Sequence, residues 1–355
     1  MGAACVDEQP SEGPRTCLGK EDSERPEIPL AYETEHLDIY VDDRRFLCAG
    51  SAVEYERFVT YVAEQLDMDI QRRIPVYAMH STAGYCSNSG ACVTPQGTVY
   101  ALPFAAYHEL THGVACELRS GAPPLLAEGL AESLEPEPYE GSMVPPEDFA
   151  EVPISEFNVY YADAGHFVRF LLENDSPEVF KQLYRTANRT DGVWQAVEAA
   201  YGESIGEEYV SGAPQRWLRH RQCADLPLLE REGEGWQFAA TFDCDDPQTL
   251  GPYERTQPQF IEVDQMYQSF LIEIEEAGTY RIDRSGAPAS IRFERCAEDH
   301  LYSDDDKDDW AKSGVYFTGQ GYGLSELHPG VWRFDVLVDH GPAVEVGVTI
   351  APHAG

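Results

Sequence analysis

His108-Glu109-Leu110-Thr111-His112 is followed, eleven residues on, by Pro123-Pro124-Leu125-Leu126-Ala127-Glu128-Gly129-Leu130-Ala131-Glu132. On a helix, His108 and His112 are separated by about 40° of rotation and about 6 Å of rise, so both imidazoles face one side. Two imidazoles so placed can share a tetrahedral zinc ion. Glu109, one residue on from the first histidine, sits beside the pair, where a carboxylate can take a proton from water. Phe104, Ala105, Ala106, Leu110, Val114 and Leu118 give the helix apolar residues to bury, and Gly113 leaves room for close packing behind His112. A catalytic zinc site wants a third protein ligand and one open position. Pro123 and Pro124 suit the start of a second helix, and Glu128 within it is the candidate ligand. Glu132 follows one turn later.

A His-Glu-x-x-His helix with a glutamate on the next helix resembles the gluzincin superfamily of zinc metallopeptidases. A metzincin would carry glycine and histidine where this chain has Ala115 and Leu118, and no Gly-Thr-x-Asp follows to supply an aspartate ligand. The resemblance spans roughly residues 98–220 and is strongest over 104–133. It implies a zincin-like catalytic domain of the α+β class, a small β-sheet plus helices. It also implies zinc on His108, His112 and Glu128, with Glu132 holding a ligand histidine. Glu109 then acts as general base in peptide-bond hydrolysis and passes the proton to the leaving amine. Tyr161-Ala162-Asp163-Ala164-Gly165-His166-Phe167 resembles a Tyr-x-x-Ala-Gly-x-Phe helix of related peptidase-like proteins. Tyr161 is thereby the first choice to steady the oxyanion, with Tyr160 and His166 as alternates. The family's fold further implies that residues 97–102 form the edge strand along which substrate lies extended.

Outward from this centre, three regions are expected. Residues 1–27 are rich in Pro, Gly, Glu and Ser and read as a disordered tether. Residues 28–225 form the zincin-like domain. Leu37–Val41, Ile74–Met79 and Thr98–Leu102 read as strands. Helices are expected over Val53–Leu66, 104–119, 123–134, 157–174, 177–187, 191–201 and 205–220. Residues 226–355 turn β-rich, with strands expected at Trp236–Phe242, Phe270–Ile274, Tyr280–Ile282, Ser290–Phe293, Val315–Phe317, Trp332–Val338 and Val344–Ile350. Their spacing suggests an all-β sandwich or jelly roll, and two of its segments resemble the accessory β-sandwiches of secreted bacterial peptidases.

The chain carries 63 acidic against 25 basic residues, a formal net charge of −38. Such a surface repels phosphate backbones and anionic lipid heads, which excludes nucleic acid as a partner. A peptide or protein substrate is expected instead. The acidic residues Glu135, Glu137, Glu140, Glu147, Asp148 and Glu151 could border the cleft and favour basic substrates. Nine scattered cysteines without a CxxC pair fit an oxidising compartment, so the chain is expected to be secreted, periplasmic or lipid-anchored. Cys5 is the odd one out, and Gly2-Ala3-Ala4-Cys5 resembles the end of a bacterial lipoprotein cleavage site, a possible lipid anchor. The preferred pairings are Cys48–Cys116, Cys86–Cys92, Cys244–Cys296 and Cys17–Cys223, although spacing alone does not fix connectivity. Asp304, Asp306 and Asp308 lack the glycine and closing glutamate of a calcium loop and read as solvated acid. A second functional reading stands beside hydrolysis. In it the chain is a non-catalytic zincin-fold binding protein of the cell surface, with the β-sandwich making the contacts.

Overall fold

The computed structural model describes residues 16–19, 25–43, 47–86, 90–102, 106–135, 139–140, 144–213, 216–217, 223, 226–252, 265–296, 315–317 and 322–353. Cys5, the Asp304–Asp308 loop and Glu137 lie outside these residues. Helices and several sheets make the chain α+β, with a β-rich C-terminal part. It divides into two compact units: Met1–Arg44 with Ala52–Arg219, and Arg45–Ser51 with His220–Gly355.

In the first unit, strands β1 (Leu30–Glu33), β2 (Leu37–Val41), β3 (Ile74–Ala78), β4 (Ala91–Val93) and β5 (Val99–Ala101) form one sheet in the order β1-β2-β3-β5-β4. The β2–β3 and β3–β5 pairs are parallel, while β1 and β4 run antiparallel at the two sides. Helix α1 (Ala49–Gln65) makes the crossover between the parallel strands β2 and β3. Every residue of β3 is buried, as a central parallel strand covered on both faces requires. β5 pairs with β3 on one side and β4 on the other, so it is not the edge. The edge expected at 97–102 belongs to β4, whose short Ala-Cys-Val run carries too weak a pattern to be read as a strand.

Among the described residues seven further α-helices follow: α2 (Ala106–Ala115), α3 (Pro124–Leu134), α4 (Ile154–Phe157), α5 (Tyr161–Asn174), α6 (Pro177–Thr186), α7 (Val193–Tyr201) and α8 (Ile205–Gly212). The last is shorter than the 205–220 expected. Gly212 is its last residue and Pro214 follows two positions on in the sequence, both residue types that stop helices, and Arg216–Trp217 pairs as a short strand with Tyr139–Glu140. The tether expected over 1–27 is pinned within its length. Cys17 is fully buried, bonds through its amide to the Cys116 carbonyl at 3.1 Å, and forms a disulfide with Cys116 just past α2.

The second unit holds two antiparallel four-stranded sheets among the described residues. Phe242, Val346 and Ile350 from one sheet and Phe270, Phe293 and Phe334 from the other belong to a single buried core, a sandwich-like arrangement. The segment Arg45–Ser51 groups with this unit. There the Cys48 amide bonds the Gly251 carbonyl at 3.1 Å, and Ser51 Oγ donates to the same carbonyl at 2.9 Å. Cys48 pairs with Cys244, and Cys223 pairs with Cys296. Of the expected pairings only Cys86–Cys92 forms. Cys116, just past α2, pairs instead with Cys17, and Cys48, which groups with the second unit, pairs with Cys244, which leaves Cys223 for Cys296. The four disulfides fit an oxidising, extracytoplasmic environment. Among the described residues no helix is long and apolar enough to cross a membrane.

Candidate metal centre

Helix α2 lays Leu110, Val114 and Ala115 into the core and leaves the two histidines on its open side. A Cβ on Gly113 would come within 3.1 Å of Val99 and 3.2 Å of Ile74, so the missing side chain lets α2 settle closely on β5 and β3. Helix α3 opens on Pro124 and is buried almost all round, with Leu125, Leu126, Leu130 and Leu134 fully or nearly fully covered. Glu128 in the middle of that helix is only 1% exposed. A carboxylate so deep needs a charged or hydrogen-bonded partner.

Both histidines supply one. His108 Nε2 lies 3.1 Å from Glu128 Oε2, and His112 Nε2 lies 3.4 Å from the same oxygen. Four donors around zinc at the usual distances stand about 3.4 Å apart from one another. Both histidine-to-glutamate separations are thus close to that spacing, the three ligand atoms lie within 4.8 Å of one another, and they are of the nitrogen and oxygen types zinc accepts. On this geometry the residues present fit the ion. On the far side of the His108 ring, Nδ1–H donates to Glu135 Oε1 at 2.6 Å, with Glu132 Oε1 at 3.5 Å.

The charges follow from this packing. Burial alone would push the Glu128 carboxyl up, but the His112 and His108 imidazoles hold it well below the usual carboxylate range. Burial disfavours charge on His108, yet its bonds to Glu128, Glu132 and Glu135 raise it well above an ordinary imidazole. Glu109 is 2% exposed. Burial raises its carboxyl, only partly offset by the neighbouring His108 and His112. The surplus of negative charge around two imidazoles is a natural place for a cation.

Of the three oxyanion candidates, Tyr161 alone faces this cluster. Its ring centroid is 5.9 Å from that of His108, and its hydroxyl bonds the Glu128 carboxylate. Burial, then the Glu128 charge, pushes its phenol upward, so it stays a donor. Tyr160 instead stacks on Phe149 at 5.2 Å. His166 is fully buried, with Nδ1 2.9 Å from the Tyr209 hydroxyl. Two described members of the acidic loop have different partners. Glu151 accepts the amides of Val193 and Trp194 at 2.5 and 3.1 Å, at the start of α7, whereas Glu135 reaches His108. That role for Glu135 was missed in the sequence, although its spacing of seven from Glu128 puts it on the same helix face.

The chain matches no protein-family model and none of the curated proteins. Among solved structures it is similar to a carbohydrate-binding module of Cellvibrio mixtus lichenase 5A in complex with cellotriose, at 13% identity, over 36% of this chain and 92% of that one, TM-score 0.18. It is also similar to a 4-O-methyl-alpha-glucuronidase with specificity for decorated arabinogalactans, at 10% identity, over 63% of this chain and 35% of that one, TM-score 0.17. A third is a Paenibacillus cycloisomaltooligosaccharide glucanotransferase, at 9% identity, over 84% of this chain and 55% of that one, TM-score 0.18. At such scores these likenesses carry no argument about fold or activity.

Proposed function

We propose that this chain is a zinc-dependent metallopeptidase of the gluzincin type, secreted or held at the cell surface, with a zincin-like first unit and an accessory β-sandwich. One observation carries the reading: two histidine Nε2 atoms converge on a single buried glutamate oxygen, on the helix where Glu109 is buried beside them. His108, His112 and Glu128 would hold the ion. Bound there, zinc supplies a Lewis acid that polarises the scissile carbonyl and eases ionisation of water. Glu109, with its carboxyl raised by burial, takes the proton from water and returns it to the departing amine. As the water oxygen adds to the carbonyl carbon, Tyr161, kept protonated, donates to the negative charge that develops on the carbonyl oxygen, and the C–N bond then breaks as the amine leaves with its proton. The carboxylates behind His108 keep its Nε2 aimed at the site.

Glu109→Gln tests the reading. Zinc content, measured by atomic absorption, should match that of the unaltered chain, while chelator-sensitive cleavage of a peptide library should fall by several orders of magnitude. Cleavage that survives the substitution would sink the mechanism. Zinc binding with no cleavage by the unaltered chain would favour the non-catalytic binding protein instead.

A further inference from the structure

Resting on the metal-centre reading above, we propose that Glu135 is the carboxylate that fixes the His108 ring, and that Glu132, at the position the family resemblance assigns, is secondary. His108 Nδ1 carries one hydrogen and can make one strong bond. Glu135 Oε1 stands 2.6 Å from Nδ1, within the range of a charge-assisted hydrogen bond, whereas Glu132 Oε1 stands at 3.5 Å, the outer limit of hydrogen-bonding distance, where a bond is weak.

The helix itself gives a second argument. Glu128 in the middle of α3, Glu132 one turn on and Glu135 at its C-cap are spaced to fall on one side of the helix. A helix C-terminus disfavours negative charge, and the last turn of α3 carries no basic residue to offset it. The positive partner comes from α2, as the imidazole of His108. Glu135 thus ties the end of the ligand helix to the back of a ligand on the preceding helix. It is a positioning residue: it touches neither substrate nor ion and acts through the His108 ring.

The test uses the full chain, with zinc in competition against a chromophoric chelator, and cobalt in place of zinc as a spectroscopic probe. Glu135→Gln keeps the side-chain shape and removes the charge. It should weaken zinc about 10- to 100-fold, the loss usual for a partner of a metal-bound histidine, and shift the visible bands of the cobalt-loaded protein. Glu132→Gln should do less of both. Glu135→Ala is a second variant at a side chain already 25% exposed, and near-ultraviolet circular dichroism checks that each variant is folded. An equal or larger loss in Glu132→Gln, or unchanged cobalt bands in a folded Glu135→Gln, overturns the proposal. Binding of two metal equivalents overturns it as well, by making Glu135 a ligand. No zinc binding by the unaltered chain is a separate failure, because it removes the metal-centre reading itself.

Discussion

The Tyr161 hydroxyl shares the Glu128 carboxylate with two imidazoles, and that contact separates it from its neighbours Tyr160 and His166. Removing the oxygen alone is therefore informative. In Tyr161→Phe the ring keeps its packing against Phe157 and His108, at 6.0 and 5.9 Å. If the phenol steadies the oxyanion, kcat should fall about 10²- to 10³-fold while zinc affinity and KM stay near those of the unaltered chain. A kcat unchanged in Tyr161→Phe would leave the residue as a core aromatic that happens to touch a ligand. At this scale the sequence is most legible where spacing alone sets geometry. His108, His112 and Glu109 are fixed relative to one another by one helix. Glu128 is legible as a polar residue inside an apolar helix. Glu135 is not, because the choice between it and Glu132 depends on a difference of 0.9 Å that only the packing of α2 against α3 decides.

Between elements, the site depends on how closely α3 and α5 cross. A Cβ on Gly129 would fall 2.6 Å from Val168 Cγ2 and 2.8 Å from the Ala164 carbonyl oxygen, and one on Gly165 would fall 2.6 Å from Glu132 Cβ. The two glycines let the ligand helix and the Tyr161 helix approach nearly backbone to backbone. Gly129→Ala should cost about 1–3 kcal/mol through overpacking, against a helix-propensity gain of about 1 kcal/mol. It should also weaken zinc, because Glu128 is the adjacent residue. Gly212, where an added Cβ meets nothing within 4 Å, is the control: Gly212→Ala should be neutral or stabilising. Urea unfolding of both variants decides, and a stabilised Gly129→Ala would mean that the helices do not cross so closely. Elements with strong alternation, such as Leu37–Val41 and Trp236–Phe242, are readable to the residue. Strands of three small residues (Ala91–Val93) or broken by glycine (Tyr322–Leu327, through Gly323) are not, because their register comes from the neighbour they pair with.

For the whole chain, composition is more legible than connectivity. The cysteine count points to an oxidising compartment, yet the partner of Cys48 depends on residues 45–51 folding with a unit that begins again only at His220. Charge allows a further prediction. A net charge of −38 repels itself in the compact state more than in the expanded one, and this cost shrinks as the screening length falls from about 30 Å at 0.01 M salt to about 3 Å at 1 M. Thermal unfolding followed by circular dichroism should therefore move upward with sodium chloride, and equally with choline chloride, since screening does not depend on the cation. At this size each kcal/mol gained should appear as about 2–4 °C. Zinc affinity should respond less than stability does, because Glu128 and Glu109 are buried and buried charges are screened weakly. A melting temperature that is flat or falls with salt would mean that self-repulsion of the acidic surface does not limit stability. A rise confined to sodium chloride would mean that specific cation sites, rather than screening, relieve the repulsion.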